Sequence, residues 1–167
     1  MANFVERGST IVSMETYSQT DLAYAAGIVD GEGYIGITEI KPRYEPSDRN
    51  QRRKSPGIVA QVAVVMADAV IPVWLSETFG GTFHSYPPRK PGHRGSTHWR
   101  LQGPRAAEFC GLIAEYLRLK GSQARLVIDY YADSRFVFKQ RQTIPLEEIE
   151  ARREYVYRAK AFNRGGQ

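Results

Sequence analysis

Two carboxylates stand two residues apart in a run of small side chains, Ala25-Ala26-Gly27-Ile28-Val29-Asp30-Gly31-Glu32-Gly33. Helical spacing leads into this run and period-two alternation follows it, so the acids fall where a helix gives way to a strand. Glycine is common at such a junction, where a helix stop often needs positive φ. Acids are not, because a helix C-terminus already carries partial negative charge and disfavours them unless a cation compensates. Carboxylates beside free backbone carbonyls on a tight turn are what a hard cation such as Mg²⁺ accepts. A glycine-capped helix end with incidental acids is the plain alternative, and the residue types put metal binding ahead of it.

The elements that must hold these acids can be read on either side. A first helix spans about Ser18 to Asp30, with Ser18 and Asp21 in capping-box spacing. Leu22, Ala25, Ala26 and Val29 share one face, Tyr24 and Ile28 another, and Ala23, Gly27 and Asp30 a third. A helix apolar or small nearly all round is expected to be buried. Ile35 and Ile37 then alternate against Tyr34, Gly36 and Thr38, and a valine-rich strand runs over Ile58 to Met66. Asp68 is placed to cap a helix carrying Ile71, Trp74, Leu75 and Phe79, stopped by Gly80-Gly81.

Two more strands, Thr82 to Tyr86 and Thr97 to Leu101, flank the loop PPRKPGHRGS. A helix with the buried stripe Ala107, Cys110, Ile113, Ala114 and Leu117 is expected to run on to Gly121. The next turns in Ala124, Val127, Ile128 and Tyr131, and a last one starts at Pro145 and leaves AFNRGGQ as a frayed tail. The order α-β-β-α-β-β-α with trailing helices predicts an α+β fold, a four-stranded antiparallel sheet with helices on one face. A single domain is expected over 1–167, with a core at about 19–135 and C-terminal helices at about 136–160.

The 167 residues are 42% apolar and 25% charged, which rules out wholesale disorder. Cys110 is the sole cysteine, excluding an internal disulfide framework and a cysteine-based zinc site. No apolar run reaches a membrane span, and the first twenty residues lack secretory features, so a reducing intracellular compartment is expected. His84, His93 and His98 lack HExxH spacing, no GxxxxGK[ST] segment occurs, and Pro88 to Pro91 reads as a cationic hairpin loop rather than a PxxP ligand. The net charge of +5 is uneven: residues 1–40 carry one cation against six acids, and residues 41–105 carry eleven against four. Arginine supplies 17 of the 23 cations. Such clustering points to a polyanionic partner, nucleic acid above all.

Ala25 to Gly33 resembles the signature of the LAGLIDADG homing endonucleases, matched at Ala26, Gly27, Asp30 and Gly33. Leu117-Arg118-Leu119-Lys120 with Gln123-Ala124, Phe79-Gly80-Gly81 and the Trp99 strand follow in the family's order. The resemblance implies a metal-dependent, site-specific endonuclease cutting double-stranded DNA. Glu32, a departure from the usual aspartate, would be the metal ligand together with the Gly31 carbonyl. Mg²⁺ is the implied ion, with Mn²⁺ as a substitute. Lys120 would offset charge on the scissile phosphate, and Gln61 and Asp68 are candidates for a further polar catalytic residue. Asp30 is assigned a structural role at the helix end.

One motif in the chain implies a homodimer, with Ala23, Ala26 and Gly27 letting two signature helices approach. Since Ile35 and Ile37 suit the core, Tyr34, Thr38 and Ile40 are expected to face DNA, with Gln61, His98 and Arg100. Arg43, Arg49, Arg52, Arg53, Lys54, Arg89, Lys90 and Arg94 are expected to contact phosphates. A non-catalytic DNA-binding regulator and an RNA maturase aiding intron splicing are the alternatives, and the pairing of Glu32 with Lys120 argues against pure binding.

Overall fold

The structure is a computed structural model describing residues 17–40, 56–88, 90–136 and 144–164. Helix α1 (Gln19–Glu32) leads into strands β1 (Gly33–Ile40) and β2 (Gly57–Met66), then helix α2 (Val70–Phe79). Strands β3 (Thr82–Tyr86) and β4 (Ser96–Gln102) precede helices α3 (Pro104–Ile113), α4 (Gly121–Ala132) and α5 (Leu146–Arg164). The strands form one antiparallel sheet in the order β1-β2-β4-β3. This is the predicted α+β architecture.

Alternation decides the two faces of the sheet. Ile35, Ile37, Ile58, Ala60, Val62, Val64, Trp99 and Leu101 are buried and form one core with the helices. Cross-strand partners share a face, so the register puts Tyr34, Gln61, Ala63, Arg100 and Gln102 together on the other. Trp99 is wholly buried, and its indole N–H donates to the Gly80 carbonyl at 2.8 Å. Gly80 (φ 76°) ends α2 in a conformation open to glycine. Asp68 caps that helix by accepting the Val70 N–H at 2.9 Å.

Several packing expectations need correction. Helix α1 is not buried all round: Ala25, Ala26 and Val29 face the core, while Ala23, Tyr24 and Gly27 are exposed. Helix α3 ends at Ile113, eight residues before Gly121, which begins α4 instead. Its buried residues are Ala106, Phe109, Cys110 and Ile113, and Ala107, Ala114 and Leu117 are half-buried. In α4 the core takes Leu126, Val127 and Tyr130, leaving Ile128 and Tyr131 half-covered. The last helix is not frayed at Ala161, for it continues to Arg164.

A buried cation joins α5 to the sheet. Arg152 pairs with Glu148 one turn back, stacks 5.1 Å over the Phe136 ring, and reaches the Tyr130 hydroxyl. Tyr130 donates to the Ile58 carbonyl at 3.1 Å, and burial pushes its phenol up to about 12 despite the arginine. Burial also pushes the Cys110 thiol up to about 12, so it packs as an apolar group.

No loop separates α1 from β1, and the tightness is visible at Gly33. Its φ is −93°, so it is not there for left-handed backbone; a Cβ would stand 2.6 Å from the Val29 carbonyl oxygen. Gly33→Ala is expected to lower stability by about 1–3 kcal/mol in urea melts, whereas Gly31→Ala, with nothing within 4 Å of the added methyl, is expected not to.

Candidate active site and nucleic-acid interface

The two acids of the signature run have different fates. Asp30 is half-buried, and its carboxylate accepts the backbone N–H groups of Arg118, Leu119 and Lys120 at 2.7, 3.2 and 2.9 Å. Those donors precede α4 and have no partner within a helix. Lys120, half-buried, answers in the other direction: its ammonium donates to the carbonyls of Val29 and Asp30 at 2.9 and 2.5 Å. Each helix end therefore supplies the charge that the other lacks. The cation that acids at a helix C-terminus require is Lys120, 90 residues on in the chain.

Glu32 ends α1, exposed, and its carboxylate has no hydrogen-bond or ion-pair partner among the described residues. The last-turn carbonyls past Asp30, Gly31 among them, have no donor from the helix itself. One unengaged carboxylate and a neighbouring carbonyl are hard oxygen donors, so this corner fits a divalent cation as a partial shell. Among the described residues no group of three His, Cys, Asp or Glu side chains comes together.

The other candidate catalytic residues lie elsewhere. Gln61 pairs with Gly36, three pairs along from the Gly33–Val64 pair that opens the sheet, or about 10 Å from the Glu32 end. Its side-chain carbonyl accepts from Gln102 at 3.3 Å, so it belongs to the middle of the outer face. Asp68 spends its carboxylate on capping α2. Continuing the register one step brings Val65, exposed and apolar, level with Glu32.

The outer face carries the residues expected to meet DNA. Tyr34 and Thr38 are half-buried and Ile40 is exposed, all opposite Ile35 and Ile37. The Tyr34 hydroxyl overhangs Gly36, where a Cβ would stand only 2.3 Å away, and burial raises its phenol. His98 and Arg100 lie on this face of β4, and Lys90 and Arg94 are exposed in the hairpin loop. A groove of about 660 Å³ there is bounded by Tyr86, Arg94 and His98. Arg43, Arg49, Arg52, Arg53, Lys54 and Arg89 lie outside the described residues. Sequence reasoning missed Gln102, Thr82 and His84, which the register sets on the same face, although β3 alternates Thr82, His84 and Tyr86 against Phe83 and Ser85.

Of the expected dimer residues, Ala23 and Gly27 are exposed, and a Cβ on Gly27 would meet nothing within 4 Å. Ala26 is a correction: it is wholly buried, its methyl against the chain's own core.

No protein-family model matches the chain, and no curated protein sequence does. Solved structures do. The archaeal intron-encoded homing endonuclease I-Vdi141I, complexed with DNA, superposes at a TM-score of 0.59 with 9% identity, over 86% of this chain and 84% of that one. Homing endonuclease I-CvuI, in complex with the I-CreI target and Mg, gives 0.55 with 17% identity, over 83% and 96%. The same enzyme with its own target and Ca gives 0.52 with 18% identity, over 85% and 96%. This chain has the LAGLIDADG homing endonuclease fold. The engaged Asp30 and the open Glu32 both lie in the last turn of helix α1.

The two acids should separate in a denaturation experiment. Asp30→Ala strands three N–H groups, two of them in reach of water, and is expected to cost about 1–2 kcal/mol. Glu32→Gln is expected to change stability by no more than about 0.5 kcal/mol. Equal losses in urea melts would contradict this division of labour.

Proposed function

We propose that the chain is a LAGLIDADG homing endonuclease, a homodimer that cuts long, nearly palindromic double-stranded DNA sites by divalent-metal-assisted phosphodiester hydrolysis. The observation that carries this reading is the open Glu32 carboxylate at the rim of a polar sheet face, beside a lysine held by the same helix end. The DNA and metal ions that accompany the similar structures agree with it.

In this reading the sheet's outer face lies in the major groove. Arg100, His98, Gln61 and Gln102 meet base edges there, and cations in the loops hold phosphates. Glu32 and the Gly31 carbonyl would hold Mg²⁺ or Mn²⁺, which when bound would supply Lewis-acid activation of the scissile phosphate and of the attacking water. Lys120 keeps positive potential beside Glu32 and offsets charge growing on the phosphate. Asp30 holds the Arg118–Lys120 segment in place. Ala23 and Gly27 form the bare stripe where a second copy's α1 seats, bringing two Glu32 side chains to one axis. Ala26 supports that helix from within.

The test is a DNA library carrying candidate insertion sites, incubated in Mg²⁺ and separately in Ca²⁺. Cleavage in Mg²⁺ is expected, falling roughly 10²–10³-fold in Glu32→Gln while binding in Ca²⁺ persists. Duplex binding without cleavage in any divalent metal would transfer the case to a regulator, and preference for folded intron RNA to a maturase. Gly27→Leu is expected to turn a sedimenting dimer into a monomer, its helix otherwise intact. A dimer that survives this change would place the interface on another surface.

A further inference from the structure

Helix α5 stands outside the elements that carry the candidate site, and its charge is graded. Its acids, Glu147, Glu148, Glu150 and Glu154, all precede Tyr155, and the exposed cations Arg158, Lys160 and Arg164 follow it. Two interactions fix how the helix runs. The Arg153 guanidinium donates to both oxygens of Glu39 at 2.8 and 3.2 Å, and the Asn163 amide donates to the Ile35 carbonyl at 3.1 Å. Ten residues of helix, about 15 Å, thereby span four residues of strand, about 13 Å. Helix α5 lies antiparallel along β1, an edge strand, with its basic end beside the start of that strand, where α1 ends in Glu32.

The rotation of the helix follows from its neighbours. Ile149, Arg152, Val156 and Ala159 form the buried line. On one flank Tyr155 meets Tyr130 of α4, ring centroids 5.3 Å apart. The opposite flank is Arg153, Tyr157, Lys160 and Arg164, spaced i, i+4, i+7 and i+11 on one stripe. This second flank lies on the side of α5 away from Tyr155 and α4, at the open edge of β1, where Arg153 meets Glu39. Tyr157 is 65% exposed on it. A cation in the last turn answers the helix dipole and accounts for Arg164 alone; it leaves Lys160 and the bared Tyr157 unexplained.

We propose that the Tyr157–Lys160–Arg164 stripe is a backbone-binding rail, holding the sugar–phosphate strand of duplex DNA along the β1 margin of the sheet. Exposed cations one turn apart beside a phenolic donor suit successive phosphates, and such groups position a duplex without reading its sequence. The proposal rests on the reading that the outer face takes DNA, and it adds a binding surface from outside the sheet and its loops.

The experiment is a salt titration of binding to a random-sequence duplex in Ca²⁺, comparing the unaltered full-length protein with Lys160→Ala/Arg164→Ala and with Arg125→Ala, an exposed cation on α4. The slope of log affinity against log salt is expected to shrink by about 0.9 for each phosphate that is no longer neutralised. The double variant is expected to leave about two phosphates per subunit to their counterions, to weaken equally on every sequence, and to keep its helical circular dichroism. Arg125→Ala is expected to leave the slope unchanged. Binding by the unaltered protein with an unchanged slope in the double variant overturns the rail and leaves the endonuclease reading standing. A loss of slope equally large in Arg125→Ala also overturns it, since the effect would then be net charge. Failure of the unaltered protein to bind duplex DNA overturns both.

Discussion

A helix that ends in two acids places like charge where its own carbonyls already hold negative potential. Left alone, such an end would fray. Here one acid turns back to collect the free N–H groups ahead of a second helix, and a lysine from that segment covers the carbonyls of the first. The exchange welds α1 to the start of α4 although about 90 residues of chain separate them. It also frees the second acid from any structural duty. Glu32 can stand bare at the rim of the sheet because Asp30 and Lys120 already satisfy the junction behind it.

The rest of the architecture extends from that weld. Gly33 lets β1 leave α1 without a loop, so the first strand starts at the acid itself. The register of β1 on β2 and of β2 on β4 then aligns glutamines, an arginine and a histidine on the face that no buried apolar row occupies. The indole of Trp99 ties the far side of the sheet to the end of α2, and Arg152 ties α5 to Tyr130 and so to β2. Both ties use a polar atom carried into the core by a large side chain, which fixes position more sharply than apolar packing alone.

Much of this was legible because it is local. Period-two alternation placed the strands to within a residue or so, and the Ser18–Asp21 cap and the Asp68 cap stand as spacing predicted. The signature run singled out Glu32 and the later Leu117–Lys120 match singled out Lys120, and the structure sets both at one helix end. What escaped was decided at long range. The apolar spacing of Ala114 and Leu117 continues the α3 pattern, yet the chain turns there, and Asp30 takes up the N–H groups that follow. Composition made α1 look like a core helix because small side chains suit a packed interior and a bare surface stripe equally well. Ala26 was misplaced for the same reason: a helical wheel gives relative angles but no origin, and only the packing partners supply it.

The two margins of the sheet are unequal. Helix α5 covers β1, whereas all five residues of β3 are exposed and Phe83, on its inner side, keeps 42% of its surface in water. Peeling β3 from β4 uncovers little apolar area, so its local opening lies at the low end of the molecule's stability scale. A compliant margin thus faces a stiff one across the same surface. Induced fit to a curved or irregular ligand would be absorbed at the β3 side, while the welded corner holding Glu32 keeps its geometry.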